Sequence, residues 1–213
     1  MRAITTIFLS LIFFTSPVYA SSDTEELKKY VENLIDEVYK LVQDKTLTQS
    51  QRQEKSSELI KSHLNLDWMA KYTLGRNRRM IPDDKIAEFT EVYSKFVVKV
   101  YADLSNNYNG EKAVLKNVKK VDDDMFIVNM EIMRPSGQQP VKVDYLVHKL
   151  ENQPNNPYKI GDIVTEGISI LNSQQSEFNS VISTRGIDAL IAELKAKIKK
   201  PEETKKKKDI DNK

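Results

Sequence analysis

Cysteine is absent from the 213 residues, which excludes disulfides, thiol nucleophiles and thiolate metal sites together. Histidine is nearly absent. His63 and His148 are the two present, and no metal-ligand spacing surrounds either. Six glycines supply neither a phosphate-cradling loop nor a nucleophile elbow, and there is no His-Glu-x-x-His run. An excess of one charge is missing as well: 33 Lys and Arg against 31 Asp and Glu leave +2. A general nucleic-acid binder carries a one-sided positive field that survives such a sum. No catalytic residue, metal, cofactor or nucleic-acid partner is therefore expected. Long apolar runs are confined to Ile4 to Phe14, which is shorter than the roughly 20 residues that span a bilayer. With Arg2 before it and Val18-Tyr19-Ala20 after it, this run reads as a signal peptide over residues 1–20, cut after Ala20.

The full chain is 39% hydrophobic and 30% charged, enough for one domain with a core, placed at 21–199. A Pro, Glu and Lys segment follows at 200–213, including Lys205 to Lys208, and reads as a disordered tail. Within the domain, Leu27, Val31, Leu34, Ile35, Val38 and Leu41 recur at helical spacing and predict an amphipathic helix over about 24–43 that needs a partner. Thr48 with Gln51 resembles a capping box for a second helix running to about His63, with Leu59, Ile60 and Leu64 inward. Asp67 is expected to cap a short helix ended by Gly75. Arg76, Arg78 and Arg79 follow in a loop, and Pro82 opens the longest helix, about 84–105, whose apolar stripe is wide enough for contact on more than one side.

From Val114 the period changes to two. Val114 to Val121, the alternation Phe126, Val128, Met130, Ile132, the alternation Val141, Val143, Tyr145, Val147, and Tyr158 onward predict four strands joined by short turns. Two helices, about 172–185 and 187–199, complete the chain. Helices, then strands, then helices argue for an α+β domain: a curled antiparallel sheet of about four strands packed against helices, enclosing an apolar cavity.

Few side chains suggest chemistry. A solvated or capping role is expected for both histidines, with His148 on the outer face of its strand. Asp122-Asp123-Asp124 falls in a hairpin turn, where Asp is at home. Trp68, Tyr72, Phe96 and Tyr101 read equally as core or as the wall of an apolar site, because periodicity cannot separate the two. The Arg76, Arg78, Arg79 cluster is a candidate contact for anionic headgroups.

Several motifs, none specific alone, share an order and spacing that resemble the MlaC family. Asp67-Trp68-Met69-Ala70 with Tyr72, Leu74 and Gly75 forms one block. Phe89, Phe96 and Tyr101 fit the family's long helix, and Val143-Asp144-Tyr145 fits a strand ending in Tyr. Tyr158 to Ile170 with Ser176-Glu177-Phe178 is similar to its most distinctive block, and Gly186, Leu190, Ile191 and Leu194 fit its last helices. Two departures stand out. Arg76-Asn77-Arg78-Arg79-Met80 occupies the place of an aromatic and a Trp-Arg pair, and Tyr158 stands where Trp is common.

The resemblance implies a monomeric periplasmic carrier whose cargo, a glycerophospholipid, is its only bound group. Such a carrier exchanges lipid with an inner-membrane ABC transporter complex and an outer-membrane lipoprotein-porin complex, and so maintains outer-membrane lipid asymmetry. Strand parity and the long-helix stripe then nominate tail-facing residues: Trp68, Leu74, Phe96, Val100 and Tyr101 from the helices, and Val128, Met130, Ile132, Val143, Tyr145, Val147, Ile160 and Ile163 from the sheet. The alternative is a periplasmic chaperone or envelope adaptor that uses the same apolar surface for polypeptide. A hydrolase ranks third, since it would need His63 or His148 beside a nucleophile such as Ser169.

Overall fold

Helical periodicity up to Leu104 and strand alternation from Lys112 divide the chain where the sequence pattern changes. The computed structural model describes residues 22–153 and 156–199; the signal peptide read at 1–20 and the tail read at 200–213 lie outside the described residues. Four helices come first: α1 (Ser22–Gln43), α2 (Gln49–His63), α3 (Leu66–Leu74) and α4 (Asp83–Leu104). The strands β1 (Lys112–Lys120), β2 (Met125–Met133), β3 (Val141–Lys149), β4 (Tyr158–Thr165) and β5 (Ile168–Ser169) follow, then α5 (Ile170–Arg185) and α6 (Ile187–Lys199). The domain is α+β, with one antiparallel meander in the order β1-β2-β3-β4-β5. The fifth strand, beyond the four expected, has only two residues. It exists because Glu166 and Gly167 both adopt positive φ, 49° and 80°, the backbone of a two-residue hairpin turn.

The α1–α2 hairpin is fixed by local polar chemistry. Thr48 accepts from the Gln51 amide at 3.3 Å while the Thr48 amide donates back to the Gln51 side chain at 2.9 Å, completing the capping box. One turn on, the Arg52 guanidinium donates to the carbonyls of Leu41, Val42 and Asp44 at 2.7–3.0 Å. These are the unpaired carbonyls at the end of α1, so a single cation both caps that helix and sets its angle to the next.

Two apolar cores result. One lies among α3, α4, α5 and α6 around Leu74, Phe89, Tyr93, Leu171, Phe178 and Leu194; the other lies between α1 and the sheet around Leu27, Val31, Phe126, Val128, Val147 and Tyr158. At the α1 N-terminus Asp23 pairs with Lys120 at 3.0 Å and Lys149 at 2.9 Å, tying the helix to β1 and β3.

Strand β4 joins the two halves. Because β5 pairs only with Val164 and Thr165, the first part of β4 would present an open edge. Leu64 forms a parallel bridge to Ile160, and the Asn65 amide donates to the Ile160 carbonyl at 2.8 Å, which satisfies that edge. Asn65, held there, accepts from the Trp68 amide and starts α3 at Leu66, so it takes the cap expected of Asp67. On the opposite face of β3 from Val147, His148 is buried rather than solvated. Its ring meets Trp68 edge-on with centroids 4.5 Å apart, and its Nδ1 lies 3.2 Å from the Asn65 amide nitrogen. The helices therefore do not keep to one face. The first two helices cover the face that carries Val147, whereas α3 meets the opposite face at His148 through Trp68.

Candidate functional site

An apolar cavity of about 570 Å³ opens between the α1–α2 hairpin, the end of α4 and the inner face of the sheet. The first helix contributes Val31, Leu34, Ile35 and Val38; the second contributes Leu59 and Ile60; α4 contributes Tyr101 and Leu104. Alternation carries Val128, Met130 and Ile132 of β2 and Tyr145 and Val147 of β3 to the same side. Ile160 and Ile163 are three residues apart, a spacing that would point them to opposite faces of a regular strand. Both line the cavity because the register steps between Leu146↔Asp162 and Val147↔Ile160, leaving Gly161 as an extra residue. Only glycine fits there. A Cβ on Gly161 would stand 2.6 Å from the His148 ring.

Of the thirteen nominated residues, Tyr101, Val128, Met130, Ile132, Tyr145, Val147, Ile160 and Ile163 line this cavity. Five lie elsewhere. Leu74 is fully buried in the helical core, and Trp68 packs against that core while stacking on Tyr72 at 4.9 Å. Phe96 turns to the same core, with the Lys197 ammonium 5.8 Å over its ring. Val100 is 40% exposed. A helix advances roughly 100° per residue, so Val100 and Phe96 stand well around α4 from Tyr101, and a wide stripe serves two neighbours. Val143 is buried in the sheet core without lining the cavity.

Most of the helical wall comes from α1 and α2, none of whose residues were among the thirteen. The signal was their apolar stripes, which in sequence look the same whether they face side chains or a void. At that wall the Tyr30 hydroxyl donates to the Tyr158 carbonyl at 2.8 Å and lies 2.6 Å from His63 Nδ1. Nε2 faces the Glu37 carboxylate at 3.8 Å. Burial pushes His63 below the ordinary histidine value, opposed by Glu37 and aided by Lys159, and the ring is neutral at pH 7. The Lys159 ammonium, itself depressed by burial, donates to the Ser62 carbonyl.

A larger cleft, about 940 Å³, runs between α3 and α4 and is lined by Asp67, Lys71, Arg78, Arg79, Asp83 and Glu91 among others. Charges of both signs crowd it, so it is less suited to an apolar ligand than the smaller cavity. Arg76, Arg78 and Arg79 are exposed on a 3-10 turn, Gly75–Met80, rather than in an irregular loop. Among the described residues, no group of three or more His, Asp or Glu could hold a metal, and no helix is long and apolar enough to cross a membrane.

A family model described as MlaC protein matches residues 32–196. A curated relative from Haemophilus influenzae, an intermembrane phospholipid transport system binding protein MlaC, is 21% identical over 140 residues. That match spans 65% of this chain and 64% of the relative, slightly under two thirds of its length. A solved structure, the phospholipid-binding protein from Ralstonia solanacearum in complex with a phospholipid, matches with a TM-score of 0.62 at 18% identity, over 84% of this chain and 97% of that one. At that identity the likeness shows the fold.

Proposed function

The chain belongs to the MlaC family, and from that premise we propose that it is a periplasmic carrier of glycerophospholipid. It takes the acyl tails into the cavity and shuttles between an inner-membrane ABC transporter complex and an outer-membrane lipoprotein-porin complex, maintaining lipid asymmetry in the outer membrane. The observation that carries the reading is the cavity itself: about 570 Å³, within the range of roughly 300–1,000 Å³ common for small-molecule sites, and walled by aliphatic and aromatic side chains.

The physical need is large. At about 0.8 kcal/mol per CH2, exposing one acyl chain of roughly 16 carbons to water costs on the order of 12 kcal/mol. A soluble carrier must hide the tails and can leave the headgroup wet. Binding rather than catalysis is also supported by where the reactive groups are spent. Ser169 donates to Asp162 at 2.6 Å and accepts from the Asn172 amide as the N-cap of α5. His148 is enclosed by Trp68, Asn65 and Gly161.

The direct test is uptake: the chain is incubated with vesicles containing labelled phospholipid, separated from them, and counted. Label that leaves the vesicles with the protein at close to one lipid per chain is the expected outcome. Label that stays entirely with the vesicles contradicts the proposal.

A further inference from the structure

The cavity contains hydroxyl groups that have no hydrogen-bond partner among the described residues. Ser56 lines it and is only 4% exposed, yet its Oγ has no hydrogen-bond partner among the described residues. Other hydroxyls on these helices turn back onto their own backbone: Ser57 to the Gln53 carbonyl, Ser62 to Leu59 and the buried Thr73 to Ala70, each at 2.8 Å. Ser56 does not. The tyrosines divide in the same way. Tyr19 lies outside the described residues; the hydroxyls of Tyr30, Tyr72, Tyr93 and Tyr158 each donate to a protein partner, and those of Tyr39 and Tyr108 each accept from one. The two without one among the described residues are Tyr101 and Tyr145, and both line the cavity, as Ser56 does.

We infer that Ser56, Tyr101 and Tyr145 form a donor set for the ester carbonyls that join acyl tails to glycerol, so that the cavity selects ester-linked over ether-linked lipid. The inference rests on the carrier reading. Three hydroxyls without an acceptor among the described residues, in a wall that is mostly apolar, destabilise the empty protein and are satisfied by a ligand that brings acceptors of its own. An ester brings a carbonyl oxygen; an ether does not. The depth fits. Tyr101 stands one helical turn, about 5 Å, before Leu104, which lines the cavity and is 56% exposed. A lipid whose headgroup is in water and whose tails are inside has its esters near that level. Both tyrosines are pushed up by burial, Tyr101 to about 12, so each remains a neutral O–H donor at neutral pH. A bound water could take these protons instead, and the experiment separates the two cases.

The full chain is loaded from vesicles holding equal amounts of diester phosphatidylglycerol and its dialkyl ether analogue of the same chain length, and the captured lipid is measured by mass spectrometry after denaturation. The expected result is an excess of diester of about tenfold, the factor that one or two net hydrogen bonds confer. Ser56→Ala, Tyr101→Phe and Tyr145→Phe each reduce that excess several-fold while still capturing lipid. Lipid-free Ser56→Ala melts no lower than the parent, because it loses an unpaired hydroxyl and no bond. Equal capture of the two lipids by the parent, or an excess that all three variants preserve, overturns the inference and leaves the carrier reading intact. Capture of neither lipid contradicts the carrier reading and the inference together.

Discussion

Asp162 holds Ser169 at 2.6 Å across the β4–β5 turn, with Oδ2 taking the hydroxyl proton while Oδ1 accepts from the amides of Ile163 at 2.8 Å and Leu171 at 3.2 Å. One carboxylate thus anchors the first turn of α5 to the strand that carries Ile160 and Ile163 into the cavity. A carboxylate is favoured there for two reasons: it satisfies two backbone donors, and it sits at the positive end of a helix. Asp162→Ala leaves those donors to find water and is expected to destabilise the protein by about 2–3 kcal/mol. Asp162→Asn, which keeps one acceptor, is expected to lose less. Urea unfolding with an unchanged slope checks both values.

Gly161 is the residue that lets the sheet and α3 meet. Gly161→Ala drives a methyl into the His148 ring, which Trp68 and Asn65 hold in place. The expected penalty is about 1–3 kcal/mol. Pairing it with His148→Ala, which vacates the space, should recover part of the loss in a double-mutant cycle; strictly additive losses would show that the contact is not the cause.

Acid should weaken the fold through its two histidines. Burial depresses both His63 and His148, so below the unfolded value of about 6.5 the unfolded chain binds protons that the folded chain refuses. The stability these groups contribute is complete above pH 6.5 and is lost as pH falls from there toward their folded values. Thermal melts from pH 8 to 5 should show Tm falling below pH 6.5. The double variant His63→Gln with His148→Gln should show a shallower fall over the same range.

Filling the cavity should empty it of ligand. Val128 and Val147 face it from adjacent strands and are almost completely buried, so Val128→Trp and Val147→Trp place an indole in the space the tails need. Lipid recovered with either variant is expected to fall at least tenfold, with far-UV circular dichroism unchanged. Val100→Trp, on an exposed position off the cavity, serves as the control and keeps its lipid.

Much of this architecture was legible because periodicity is a direct consequence of backbone geometry. Val128, Met130 and Ile132 lie on one face for the same reason that they alternate in the sequence, and Thr48 with Gln51 caps α2 as that pair does in general. What was not legible depended on contacts distant in sequence. His148 looked like a solvated outward residue because nothing local says that Trp68 will cover it. Asn65 took the cap from Asp67 because the Ile160 carbonyl, far along the chain, holds its amide. The α1 stripe announced a buried face but not that part of it would border a void. Phe96 and Val100 shared a stripe with Tyr101, and only packing decided which way each turned.

Mass spectrometry of the chain purified from a cell-envelope extract, run native and then denatured, reads directly whether the cavity carries lipid. A released phospholipid mass at about one per chain is expected, with the denatured protein returning to its own mass. A protein that arrives empty, and that also refuses phospholipid from vesicles, would contradict the carrier reading and would make binding of apolar polypeptide the better reading.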